Sequence, residues 1–129
     1  MRSNAMRLNE YQDKAMTTCT ESSMNDTYLL FGLMAEVGEL ADKVAKAKRK
    51  EIITIEDSEI FPVTKDGTMP LLFEEFTHGF AKELGDVLWF VALIAKHAGL
   101  TLEEVAQMNL DKLADRAKRG VIVGNGDNR

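Results

Sequence analysis

The 129-residue chain has one cysteine, two prolines, one tryptophan and no excess of basic residues. The lone Cys19 excludes an intramolecular disulfide framework and a cysteine zinc site. It fits a reducing, cytoplasmic setting. With 16 basic residues against 21 acidic, the net charge is -5. A general nucleic-acid polymer binder needs a basic face to release counterions, so that class is disfavoured. Small anionic ligands remain open, because a metal ion can sit between acids and phosphates. The longest apolar run, Val87 to Ala95, is nine residues and cannot span a bilayer. No signal-peptide pattern opens the chain, and residues 1–5, ahead of Met6, read as an expression scar. No membrane partner is expected.

What is present is ordinary globular composition: 45% hydrophobic and 29% charged, enough for one domain with a real core. Four helices can be read. Asn9 is placed to cap a first helix reaching about Cys19. Asp26 or Thr27 caps a second, from about Tyr28 to Lys50, whose last turns carry Lys43, Lys46, Lys48, Arg49 and Lys50. Residues 51–70 break the pattern with Pro62, Gly67 and Pro70, and the alternation of Ile53 and Ile55 suggests a short extended piece. This stretch reads as an insertion or lid. A third helix runs from about Leu71 to Ala98 and stops at Gly99. Thr101 and Glu104 form a capping box for a fourth, reaching about Lys118. The tail from Gly120 has no periodicity. The fold class expected is all-α and four-helix-bundle-like, with long antiparallel helices completed by oligomerisation, since the third helix has more apolar surface than its neighbours easily cover.

Two acid pairs at i, i+3 spacing sit on the second and third helices. With about 100° per residue, Glu36 falls at the edge of an apolar arc of Leu30, Leu33, Met34, Val37, Leu40, Ala41 and Val44. Glu39 lies about 60° further round and one turn on, so both can grip one object. On the third helix, Glu83 and Asp86 sit among Phe76, Phe80, Leu84, Val87, Phe90, Val91 and Ile94. A carboxylate on an apolar surface is costly unless protonated, paired or bound to metal. A solvated face, with Glu39 and Lys43 as an i, i+4 ion pair, is the competing reading for the first pair. Together the two pairs favour a shared cation site. Four carboxylates without a convincing nitrogen or sulfur ligand indicate Mg²⁺ or Mn²⁺. His78 and His97 do not make the Glu-x-x-His spacing of di-iron bundles and read as surface and helix-end residues.

These residues also carry a family resemblance. Glu36-Val-Gly-Glu39-Leu40 and Glu83-Leu-Gly-Asp86-Val-Leu-Trp89 resemble the E-x-x-E…E-x-x-D signature of the MazG-like, all-α nucleoside triphosphate pyrophosphohydrolases. Asn109-Leu-Asp-Lys112-Leu-Ala-Asp-Arg116 resembles the N-x-x-K…R stretch on the family's next helix, and 118–120 with 126–129 resembles the tail of one branch. The resemblance runs from Met6 onward, over a single domain. The 43 residues between Glu39 and Glu83 exceed the spacing of compact members, an excess that 51–70 accounts for and that puts substrate specificity in doubt.

The resemblance implies an enzyme that splits a nucleoside triphosphate into the monophosphate and pyrophosphate, suited to nucleotide-pool house-cleaning, and a homodimer or homotetramer. In the implied site, Glu36, Glu39, Glu83 and Asp86 bind Mg²⁺, and Glu39 or Glu36 takes the proton of the attacking water. Asn109, Lys112 and Arg116 contact the substrate, with Arg119 and Arg129 as further cations. Gln12 is a candidate to meet the base, whereas Trp89 and Phe90 read as core. Two alternatives stay open: a catalytically inactive helical dimerisation or regulatory module, and phosphoribosyl-ATP pyrophosphohydrolase.

Overall fold

The computed structural model of the chain describes residues 4–64, 67 and 69–120. It is mostly α-helical. In chain order the elements are α1 (Leu8–Met16), a 3₁₀ turn (Glu21–Ser23), α2 (Asp26–Arg49), strands β1 (Ile53–Glu56) and β2 (Glu59–Pro62), α3 (Met69–His97) and α4 (Leu102–Arg119). No single helix among the described residues is long and apolar enough to cross a membrane. Two compact units form, one from the described residues of 25–91 and the other from those of 1–24 and 92–129.

In the first unit, Asn25 caps α2 by accepting a 2.9 Å hydrogen bond from the Tyr28 N–H. The cap lies one residue ahead of the expected Asp26, because Asp26 already has helical geometry. The other end of α2 closes with the Ile52 N–H donating to the Ala47 carbonyl and the Glu51 N–H to that of Lys48. This is a Schellman motif, in which Glu51 (φ 56°) takes the left-handed place usually given to glycine. Ile52 and buried Ile53 then lead into an antiparallel hairpin, with Ile55 opposite Ile60 and Glu56 opposite Glu59. Asp57 and Ser58 both have positive φ, as a two-residue type I′ turn demands. The extended piece expected at Ile53 and Ile55 is therefore half of a hairpin inside the 51–70 stretch. Residues 65, 66 and 68 lie outside the described set.

The inward stripe of α2 is Leu29, Leu33, Glu36, Leu40, Lys43 and Ala47, with spacings alternating between four and three. Leu30, Met34, Val37 and Ala41, placed by periodicity on the same apolar arc, point outward instead. Met34 is 69% exposed. Helix α3 crosses α2 where Phe90 lies on Gly32. A Cβ on Gly32 would stand 2.2 Å from the Phe90 ring, so only glycine permits this approach. Tyr28 and Trp89 pack on the same ring, Trp89 edge-on at 4.8 Å between centroids.

In the second unit, α1 holds the start of α4. Buried Gln12 (2% exposed) donates to the carbonyls of Ala92 and Leu100 and accepts from the Leu102 N–H. Asn9 does not cap its own helix. Its Oδ1 accepts from the Glu103 N–H at 2.9 Å, and its amide donates to the Glu103 carboxylate. The capping box of Thr101 and Glu104 forms as expected. The first three N–H groups of α4 thus all have side-chain acceptors, two of them from α1. Such a helix start has no free donors for an anion.

Candidate metal and nucleotide site

Glu36 projects from the inward stripe of α2, and Glu39 from its exposed flank one turn later. Glu83 projects from the inward stripe of α3, its side chain 15% exposed. One carboxylate oxygen from each of these three lies within 4.8 Å of the other two. Asp86 stands beside this trio and is exposed. Its side chain is one methylene shorter than glutamate, and its position is about 60° round the helix from Glu83.

The charge of Asp86 is nevertheless felt. The Glu36 carboxyl is held above its ordinary pKa, first by burial and then by the negative charges of Glu39, Asp86 and Glu83. Four acids gathered with little positive charge raise the proton affinity of Glu36. Lys43 of α2 is in ion-pair contact with Glu83 at 3.4 Å. A cluster of hard oxygen donors on two helices suits a divalent cation with oxygen preference. The donor set therefore fits the metal that the acids suggest. Glu39, Asp42, Lys43, Lys46 and Glu83 line a cleft of about 390 Å³ at this point.

The other expected site residues lie on α4. Asn109 and Lys112 are exposed, and with Leu100, Val105 and Met108 they line a cleft of about 360 Å³. Arg116, four residues after Lys112, is only 5% exposed. Lys112 and Arg116, expected to contact the substrate, therefore stand in different surroundings, Arg116 buried and Lys112 exposed. Arg119 is paired with Asp115 at 2.8 Å. Arg129 and the rest of the tail from 121 lie outside the described residues. Gln12 is buried, with both amide hydrogens and its carbonyl oxygen engaged by backbone groups, a structural role and not one at a solvent-facing base site. His78 and His97 are both exposed.

The model of the MazG nucleotide pyrophosphohydrolase domain matches residues 25–121, which spans both acid pairs and α4. The chain belongs to the MazG nucleotide pyrophosphohydrolase family. A relative within reach is the Gene 37 protein of Mycobacterium phage L5, 36% identical over 131 residues covering 96% of this chain and all of the relative. No solved structure matches the chain significantly. As a MazG-family chain, it carries a nucleotide pyrophosphohydrolase domain whose acidic trio can hold a metal ion. Sequence reasoning did not anticipate Lys43 as the contact to Glu83. Its place on the inward stripe, seven residues after Glu36, was the available signal.

Proposed function

We propose that this protein hydrolyses a nucleoside triphosphate, ribo- or deoxyribo-, to the monophosphate and pyrophosphate in a Mg²⁺-dependent reaction, as a house-cleaning enzyme of the cytoplasmic nucleotide pool. The observation that carries this reading is the convergence of Glu36, Glu39 and Glu83 from two helices, with Asp86 close enough to raise the proton affinity of Glu36. Mg²⁺, or Mn²⁺ in its place, would be held by these carboxylates and would supply charge neutralisation at the phosphates and an acidified water.

The chain's own groups do the rest. Glu39, on the exposed flank of the cluster, accepts the proton of the attacking water, with Glu36 the second candidate. The water oxygen bonds to the α-phosphorus, the bond from that phosphorus to the α–β bridging oxygen breaks, and pyrophosphate departs with the electron pair. Asn109 and Lys112 provide a donor and a cation for substrate oxygens. Arg116, being buried, is the weakest of the three α4 candidates. The outward row of Leu30, Met34 and Val37 on α2 supports a homodimer or homotetramer, since a contiguous exposed apolar row on one helix is normally covered by a partner.

The test is a panel of ribo- and deoxyribonucleoside triphosphates with Mg²⁺ and identification of both products. Phosphoribosyl-ATP is run alongside. Release of pyrophosphate from any common nucleotide, abolished by Glu39→Gln and by Asp86→Asn at unchanged helicity, supports the assignment. Full activity in both variants sinks it.

A further inference from the structure

Helix α2 carries a second charged feature that its acids do not explain. Glu36, Glu39, Lys43, Lys46 and Lys50 recur at spacings of three, four, three and four, so they form one stripe. The stripe changes sign within a single turn, from two acids to three bases. Lys46 and Lys50 lie at the C-terminal end of α2, where cations suit the helix dipole. Lys43 lies two turns before that end, so the dipole does not account for it.

Its geometry is specific. Lys43 is on the inward stripe, and its stem lies over Gly79 of α3. A Cβ on Gly79 would meet the lysine Nζ at 3.4 Å and Cε at 3.7 Å, so a larger side chain there would obstruct the stem. The ammonium continues to Glu83, one turn along the same face of α3. Lys43 and Lys46 line the cleft at the carboxylates, and they also line a second cleft of about 290 Å³. The second cleft adds Lys50 and Glu75 to its lining, with Ala47, Ile52, Phe76 and Gly79. The two clefts share Lys43 and Lys46 in their walls and so adjoin: the first holds acids of the cluster, and the second continues as a groove between α2 and α3 past Lys50.

We infer that this groove takes the pyrophosphate end of the substrate, with Lys43 as the junction between the carboxylate cluster and a track continued by Lys46 and Lys50. The inference rests on the proposed metal site and adds a direction to it: β- and γ-phosphates toward the C-terminal end of α2, nucleoside the other way. Charge complementarity selects the ligand. Three lysines against one carboxylate, Glu75, line the second cleft, and although Lys46 also pairs with Asp42 the excess of ammonium groups matches a polyphosphate chain, whereas a base or a sugar has no use for it. Lys43 acts in turn as the counterion of Glu83 in the free protein and as a phosphate donor when the cluster has taken a divalent cation. Because the leaving group gains charge as the α–β bond breaks, cations placed on that side also favour its departure.

Inorganic pyrophosphate is the probe. Its binding to the full chain is measured by calorimetry in Mg²⁺, beside the binding of a nucleoside monophosphate. Lys43→Gln is expected to weaken pyrophosphate about tenfold, the loss of one charge-assisted contact, and Lys50→Gln less. Monophosphate affinity should change by less than about twofold. Lys43→Arg should restore part of the loss, and melting temperature separates a folding defect from a binding one. Equal pyrophosphate affinity in wild type and Lys43→Gln overturns the groove assignment, and so does an equal fall for pyrophosphate and monophosphate. In either case a Mg²⁺-induced rise in melting temperature leaves the carboxylate site standing. Absence of both that rise and any pyrophosphate binding removes the site and the groove together.

Discussion

Glu36→Gln should stabilise the metal-free protein. Glu36 belongs to a trio whose oxygens lie within 4.8 Å of one another, and its pKa is raised by burial and by three like charges. At that separation each pair of unit charges repels by at least about 0.9 kcal/mol even at the dielectric of water. Screening at physiological ionic strength removes roughly half. Two such pairs, to Glu39 and Glu83, give a gain of about 1 kcal/mol on neutralising Glu36. For a domain of this size that is about 4 °C in melting temperature.

The gain has a pH signature. A carboxyl whose pKa is raised on folding makes the unfolded chain lose its proton first. Stability is therefore lost as pH rises from the ordinary value of 4.5 through the folded pKa. The difference between wild type and Glu36→Gln should be present at pH 7 and shrink as pH falls through that window. The assay is thermal unfolding in EDTA and in millimolar Mg²⁺, at several pH values. Wild type should rise in Mg²⁺ and the variant much less, since metal bound only by the folded state stabilises it. A variant that melts lower than wild type in EDTA at pH 7, or that keeps the full Mg²⁺ response, refutes the account of the cluster.

Other outcomes follow from packing and hydrogen bonding. Gln12→Leu leaves the Leu102 N–H and two carbonyls without their buried partner, and should cost about 3 kcal/mol in urea unfolding. Gly32→Ala drives a methyl into the buried Phe90 ring and should cost about 1–3 kcal/mol, recovered in part by Phe90→Leu. Glu51→Gly relieves a left-handed backbone at the end of α2 and should stabilise by up to about 1 kcal/mol, read as a shift of the urea midpoint at constant slope. Met34→Glu, on the outward apolar row, should reduce the oligomer mass seen by light scattering without lowering helicity.

The helices were legible because period and punctuation agree locally. Thr101 and Glu104 announced α4, and Gly99 announced the end of α3; both hold to within a residue or two. The end of α2 was located by its run of lysines, although no glycine marks it, since Glu51 takes the left-handed turn. Asn9 misled, because an asparagine ahead of an apolar pattern looks the same whether it caps its own helix or another. Only long-range packing delivered it to Glu103.

The same division holds at the site. Sequence alone determined which side chains share a helical face, because a 3.6-residue repeat fixes angles within one helix, and so it selected Glu36, Glu39, Glu83 and Asp86. Tertiary structure decided which of them meet. It brought Glu36, Glu39 and Glu83 within reach of one ion and left Asp86 beside them. It also turned Arg116 inward and laid Lys43 across Gly79 onto Glu83. Angles within a helix follow from the local backbone. Distances between helices follow from how closely their side chains let them approach, and here the glycine facing Phe90, Gly32, sets that approach.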